Sequence, residues 1–232
     1  MIVEGSITIE NTLDVQAMAN VCVVTGNVTV SADGITSISL PLLESVGGDV
    51  FIFNNDALTS LSFPLLESVG GGVDISSNAT LTSFALPVLA SAGSVFIFNN
   101  AALTSISLPV LASVVGAVFI QSNDALTSLS FPVLASVGGD VDISSNATLT
   151  SFAFPLLESV GGAVIIQSND ALTSISFPVL ASVGGDVFIF DNTALTSISF
   201  PVLASVGEGV VISNNATLTT CTGALIVNVG DC

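Results

Sequence analysis

The stretch GGDVFIFNNDALTSLSFPLLESV, from Gly47 to Val69, is one structural turn, and the chain repeats it almost without change. Two short segments in it alternate apolar and other residues with period two, VFIF and LSF. Each is too short for a helix and is bounded by Gly, Asn or Pro, which marks them as strands. Pro64 stands just after the second strand, where a missing N–H is tolerated, and the Gly pair supplies a sharp corner.

Outward from this turn, Pro41, Pro64, Pro87, Pro109, Pro132, Pro155, Pro178 and Pro201 recur at intervals of 23 residues, with a single 22 between Pro87 and Pro109. A period of this size means a solenoid, because a propeller blade needs roughly 40 residues. The reading is therefore all-β: a right-handed β-solenoid of about nine turns of 22–23 residues. The expected boundaries are an N-terminal cap over 1–26, the repeats over 27–217 and a C-terminal cap over 218–232. A short helix over Thr12 to Asn20 would cover the open end of the coil.

Each turn places an Asn five residues after the first strand's Val: Asn55, Asn78, Asn100, Asn123, Asn146, Asn169, Asn192 and Asn215. Buried amides at one corner, bonded to the turns above and below, form a ladder. Asn78, Asn146 and Asn215 also begin N-A-T sequons, but five other turns keep the Asn without one, which favours the ladder. Asn27, in N-V-T, lies outside that series and is the better glycan acceptor in a secreted chain.

Composition prunes function. There is no Lys, Arg, His, Trp or Tyr, against 18 Asp and Glu, for a formal charge of −18. Nucleic-acid binding through neutralised phosphates is excluded, and docking on anionic membrane is disfavoured. No apolar run is long enough for membrane insertion. A His-based triad, a Schiff-base lysine and a phosphate loop all lack their essential residue. Neither a metal site nor an organic cofactor is expected, and the chain reads as a non-enzyme. Glu44 and Glu67 fall at equivalent places in adjacent turns, and loosely bound Ca²⁺ would relieve their repulsion. The start, Met1-Ile2-Val3-Glu4, lacks the basic opening of a signal peptide. Cys221 and Cys232 are close enough in sequence for a closing disulfide, with Cys22 left over; buried, unbonded thiols are the alternative.

In the first strand Val and Ile are constant, while the positions between and after them vary. Turned inward, the variable set would bury Asp74 and Asp142 with no basic residue to pair them. Val and Ile must face the core, and Phe51, Phe53, Phe96, Phe98, Phe119, Phe188 and Phe190 then line an outward face that Asp74 and Asp142 interrupt. Such a strip marks an interface, for self-association or for another surface protein or wall polymer. Two other surfaces compete with it. The L-T-S of each turn makes a hydroxyl strip suited to adsorbing ice or another regular surface. Asp140 and Asp142, about 7 Å apart on one face, approach the geometry of a carbohydrate-active pair.

MANVCVVTGNVTV, Met18 to Val30, and the repeated N-x-x-L-T-S-h-x-h-P-x-L-x-S-V (h apolar) resemble the receptor L domains and leucine-rich-repeat relatives of cell-wall and cell-surface proteins. In that family a short helix runs through Asn-Cys-Thr into a Gly-Asn strand; here the Cys falls one position late, at Cys22. The resemblance covers nearly all of the chain and implies an extracellular or cell-surface location. It leaves the ligand open, because such domains serve many partners.

Overall fold

The computed structural model describes residues 1–32 and 34–225. The chain is an all-parallel β-solenoid with almost no helix. Ten rungs of the V-x-I strand stack in register, from Ile7–Ile9 and Val28–Val30 through Val50–Phe53 to Val210–Ser213. The first rung lies inside the segment expected to be only a cap: Ile2 pairs with Val23 and Ile7 with Val28. The helix is shorter than the sequence suggests, Thr12–Ala17, and its Asn11 cap exchanges bonds with Asp14 in a capping box. None of its residues is fully buried, but Val15 packs on the core, as does Met18 just beyond it. Among the described residues no helix is long and apolar enough to cross a membrane.

Seven side chains per turn point inward. In the quoted turn they are Val50, Ile52, Leu58, Leu61, Phe63, Leu66 and Val69, all buried. The period-2 strands and the turns between them thus deliver one continuous apolar column along the axis. Where Phe recurs at the Phe63 position the rings stack, with Phe131, Phe154, Phe177 and Phe200 at centroid spacings of 5.1, 5.8 and 5.2 Å.

The second strand of each turn forms three short sheets rather than one. Pairing lapses between Ser83–Ala85 and Ser105–Ser107, and again between Ser151–Ala153 and Ser174–Ser176. Both lapses follow a turn with Phe84 or Phe152 where its neighbours bury Leu or Ile, and both rings are only half-buried. A ring is too large for that slot, and the strand shifts to hold it. The single 22-residue turn loses its residue at the glycine corner, where the register slips between Ala92 and Ser94. That corner is tight: a Cβ on Gly70 would lie 2.3 Å from the Gly47 carbonyl oxygen.

The eight asparagines form an unbroken hydrogen-bonded column. Asn78 is representative: its Nδ2 donates back to Ile52 O (2.9 Å) and to Ser76 O (3.0 Å), while its Oδ1 accepts from the backbone N–H (3.2 Å) and the Nδ2 (2.9 Å) of Asn55. The column starts at Ala32 N–H, which donates to Asn55 Oδ1, and runs to Asn215. The residue before each asparagine is left-handed: Asn54, Ser77, Asn99, Ser122, Ser145, Ser168, Asp191 and Asn214, with φ between 53° and 57°. That conformation swings the chain through the corner and aims the next side chain inward. Only Asn and Asp tolerate it comfortably among non-glycines, so the four serines carry strain.

Asn146→Ala is expected to lower stability by about 1–3 kcal/mol, since it strands buried backbone groups on two rungs. Asn27→Ala removes one bond, to Asp49 N–H at 2.9 Å, and should cost about 0.5–1.5 kcal/mol. Ser122→Asn should move the other way, by about 0.5 kcal/mol, through easier left-handed backbone. Urea midpoints of the three variants check the ordering.

Candidate functional site

From Val50–Phe53 to Val187–Phe190 the Val and Ile of each rung are buried, while the residues between and after them stand on the outer face. Phe51, Phe53, Phe96, Phe98, Phe119, Phe188 and Phe190 all lie there, and all are half-buried rather than fully exposed. The reason is spacing: rungs about 4.8 Å apart bring the side chains of successive turns into contact. Phe96 and Phe119 touch at a centroid distance of 5.3 Å.

The face is corrugated. Asp74 sits in register between Phe51 and Phe96, and Ser76 between Phe53 and Phe98. Asp142 sits between Phe119 and Ile165, and Ser144 between Gln121 and Gln167. The short polar side chains sink between longer neighbours, so Asp142 is only 8% exposed although it points away from the core. Burial pushes both aspartates above the ordinary carboxylate range; hydrogen bonds with Ser76 for Asp74, and with Ser144 and Gln121 for Asp142, pull them partly back.

The two notches differ in how well they are satisfied. Asp142 accepts from Gln121 Nε2 at 2.7 Å and from Ser144 Oγ. Asp74 Oδ1 is buried without a partner, because the position matching Gln121 is Phe53. VDISSNATLTSF is identical at 73–84 and 141–152, so the flanking rungs alone create the difference.

Other expected site residues lie elsewhere. Asp140 Oδ1 accepts the Ala163 N–H at 2.7 Å, as Asp49 does for Gly72. Both carboxylates of the expected carbohydrate-active pair thus accept hydrogen bonds from within the chain. Thr59, Thr82, Thr127 and Thr196 of the L-T-S strip spend their hydroxyl donors on the preceding turn's Thr carbonyls. Among the described residues no three Asp, Glu or Cys side chains gather as metal ligands. Asn78, Asn146 and Asn215 are buried with their amide nitrogens engaged, whereas Asn27 is half-buried and uses only its oxygen in the bond to Asp49. Cys22 is free and Cys221 is disulfide-bonded; Cys232, its expected partner, lies outside the described residues.

Two surfaces carry no charge and escape pattern reading. The residue after each proline forms a ridge that includes Leu42, Leu65, Val110, Val133, Leu156 and Val202, each 36–50% exposed and thus barer than any outward Phe. In the strand-centred view it falls in a turn, where period two gives no signal. A shallow groove of about 500 Å³ also runs along the axis, lined by Ser, Val and Gly from Ser113 to Ser205.

Compared with known proteins, the chain matches no protein-family model, no curated protein and no solved structure.

The aspartate notches fix a pH response. In the range above the ordinary carboxylate value, folded chains hold protons that unfolded chains have released, so stability falls as pH rises through the folded-state values. Asp74→Asn should therefore raise the melting temperature at pH 7 and flatten its fall with pH above the ordinary carboxylate range. Asp56→Asn removes the same charge from an exposed site and controls for general repulsion. Equal gains from both substitutions would mean that burial of Asp74 contributes nothing.

Proposed function

We propose that this chain is a non-enzymatic surface or structural module, extracellular or at the cell surface, that binds a partner or its own copies through the outward Phe face. The observation that supports it most is seven Phe side chains kept half-exposed on one face of a sheet whose opposite face already fills the core. Contiguous exposed apolar area of this kind marks an interface. The location rests on the disulfide at Cys221, which belongs to oxidising compartments, and on the likeness to receptor L domains. The absence of Lys, Arg and His and the engagement of Asp140 and Asp142 argue against a carbohydrate-active enzyme.

A second reading has one observation behind it. The Pro-Leu/Val ridge is apolar along eight successive turns and would serve the same role, including adsorption to a regular surface. The Thr/Ser strip has the weaker claim, since its Thr donors are already used.

The two faces are separable. Phe96→Ser, Phe98→Ser and Phe119→Ser together should leave the solenoid folded by circular dichroism, since none of the three points into the core, and should abolish association in sedimentation velocity. Covering several hundred Å² at about 25 cal/mol per Å² favours association strongly, while −18 per copy opposes it. Association of the native chain should therefore strengthen with salt. If the triple variant stays folded and associates as before, the interface is the ridge, and Leu65→Ser with Leu156→Ser becomes the informative pair.

A further inference from the structure

Asp74 stands out once its neighbours are compared with those of Asp142. Both lie in the same twelve-residue sequence and both are sunk in the outer face. Asp142 has two side-chain donors supplied from within the chain. Asp74 has an oxygen buried with none, and four rings frame it: Phe51 and Phe53 on one side, Phe96 and Phe98 on the other. A buried, unpaired carboxylate oxygen is costly, and a cation meeting the half-exposed carboxylate from its open side would offset that cost.

We infer that the Asp74 notch is a receptor for a basic side chain, Lys or Arg, of a partner protein. This rests on the Phe face being the binding surface and names the chemistry it recognises there. A cation that also hydrogen-bonds the carboxylate must carry N–H donors, which excludes a quaternary ammonium. It must also tolerate aromatic walls. Phe51 and Phe96 are two rungs apart, about 9.6 Å, so a cation midway is about 4.8 Å from each ring's rung, inside the roughly 6 Å reach of a cation–π contact. Ca²⁺ is a poor fit, since it needs six to eight oxygens and the notch offers Asp74 and Ser76 among rings. A cationic donor does not come from another copy's side chains, because the sequence has no Lys, Arg or His. The Met1 ammonium is engaged by the Asn20 carbonyl and Cys22 Sγ. The notch therefore selects a different protein, and a charge of −18 draws a basic one.

No other titratable side chain faces Asp74 from the two flanking strands, Val50–Phe53 and Ser91–Phe98. The next carboxylate along the face, Asp49, is held by the Gly72 N–H. A cation entering the notch favours the ionised carboxylate, so binding should weaken as pH falls and Asp74 takes up its proton.

The test uses the whole chain and three probes, Ac-Gly-Lys-Gly-NH2, its arginine counterpart and tetramethylammonium, titrated by NMR at low salt. The lysyl or arginyl peptide should bind saturably with shifts centred on residues 73–76, and tetramethylammonium should not. Asp74→Asn should weaken peptide binding by about tenfold or more and remove its pH dependence. Asp142→Asn, which loses the same charge, should leave it unchanged, and Phe51→Leu with Phe96→Leu should weaken it with the carboxylate intact. Equal weakening by Asp74→Asn and Asp142→Asn would show attraction to net charge alone and would overturn the inference. So would peptide binding that ignores both. Phe188→Ser with Phe190→Ser, at the far end of the face, leaves the notch whole. If that pair abolishes association while native protein ignores both peptides, the face reading stands and the notch inference fails. Peptide binding at residues 73–76 in a chain that never associates with itself supports the notch and rules out self-assembly through the face.

Discussion

Every level of this molecule depends on the column of buried asparagine amides. An amide alone inside an apolar coil would cost several kcal/mol. Stacked, each Asn oxygen from Asn78 onward takes two donors from the turn before, one of them the preceding Asn amide, and each nitrogen also donates to a backbone carbonyl of the preceding rung. The arrangement works only if successive asparagines fall directly above one another. That requirement fixes the turn length far more tightly than apolar packing could, since Leu and Val accept small shifts. The single 22-residue turn respects the constraint, because its missing residue comes from the glycine corner and leaves Asn78 and Asn100 in bonding register.

The regular interior hands all variation to the outer face, where a second rule operates. With rungs about 4.8 Å apart, the surroundings of a side chain are set less by its own turn than by the turns on either side. Asp74 and Asp142 show this directly. Identical local sequence gives one carboxylate with an unpaired oxygen and another with two donors, because the preceding rung offers Phe53 to the first and Gln121 to the second. A turn repeated along the chain keeps its residues but not its neighbours, and new chemistry arises between turns.

This explains how much was legible in the sequence. The proline interval, the constant V-x-I and the placed asparagines each repeat along the chain, and together they specify the coil, its core face and the bonded corner. Features that live in relations between turns were harder to see. Pointing outward implied exposure for Asp142, yet longer neighbours bury it. The left-handed residues before each asparagine are Asn, Ser or Asp, and no single residue type betrays them. Ile2–Val3 and Ile7–Ile9 lack the Pro and Asn of the repeat, so the first rung looked like part of a cap, although its Ile residues meet the same pairing and packing demands. The exposed ridge after the prolines sits in a turn, where alternation carries no information.

An acidic chain without one basic side chain must also manage its own repulsion. Asp49 and Asp140 accept backbone N–H groups of the next turn, Asp14 closes the helix cap, and Asp56, Asp124 and Asp170 lie exposed at corners where solvent screens them. In each case the charge has a donor or water. Asp74 keeps one oxygen outside that provision, and it lies on the apolar face, where a partner would exclude water. Closure of a neutral apolar surface over it would raise the cost of the charge further, whereas closure by a surface bearing an N–H cation would remove it. The same carboxylate thus works against one class of partner and for another, which gives an otherwise unselective strip of phenylalanines a means of discrimination.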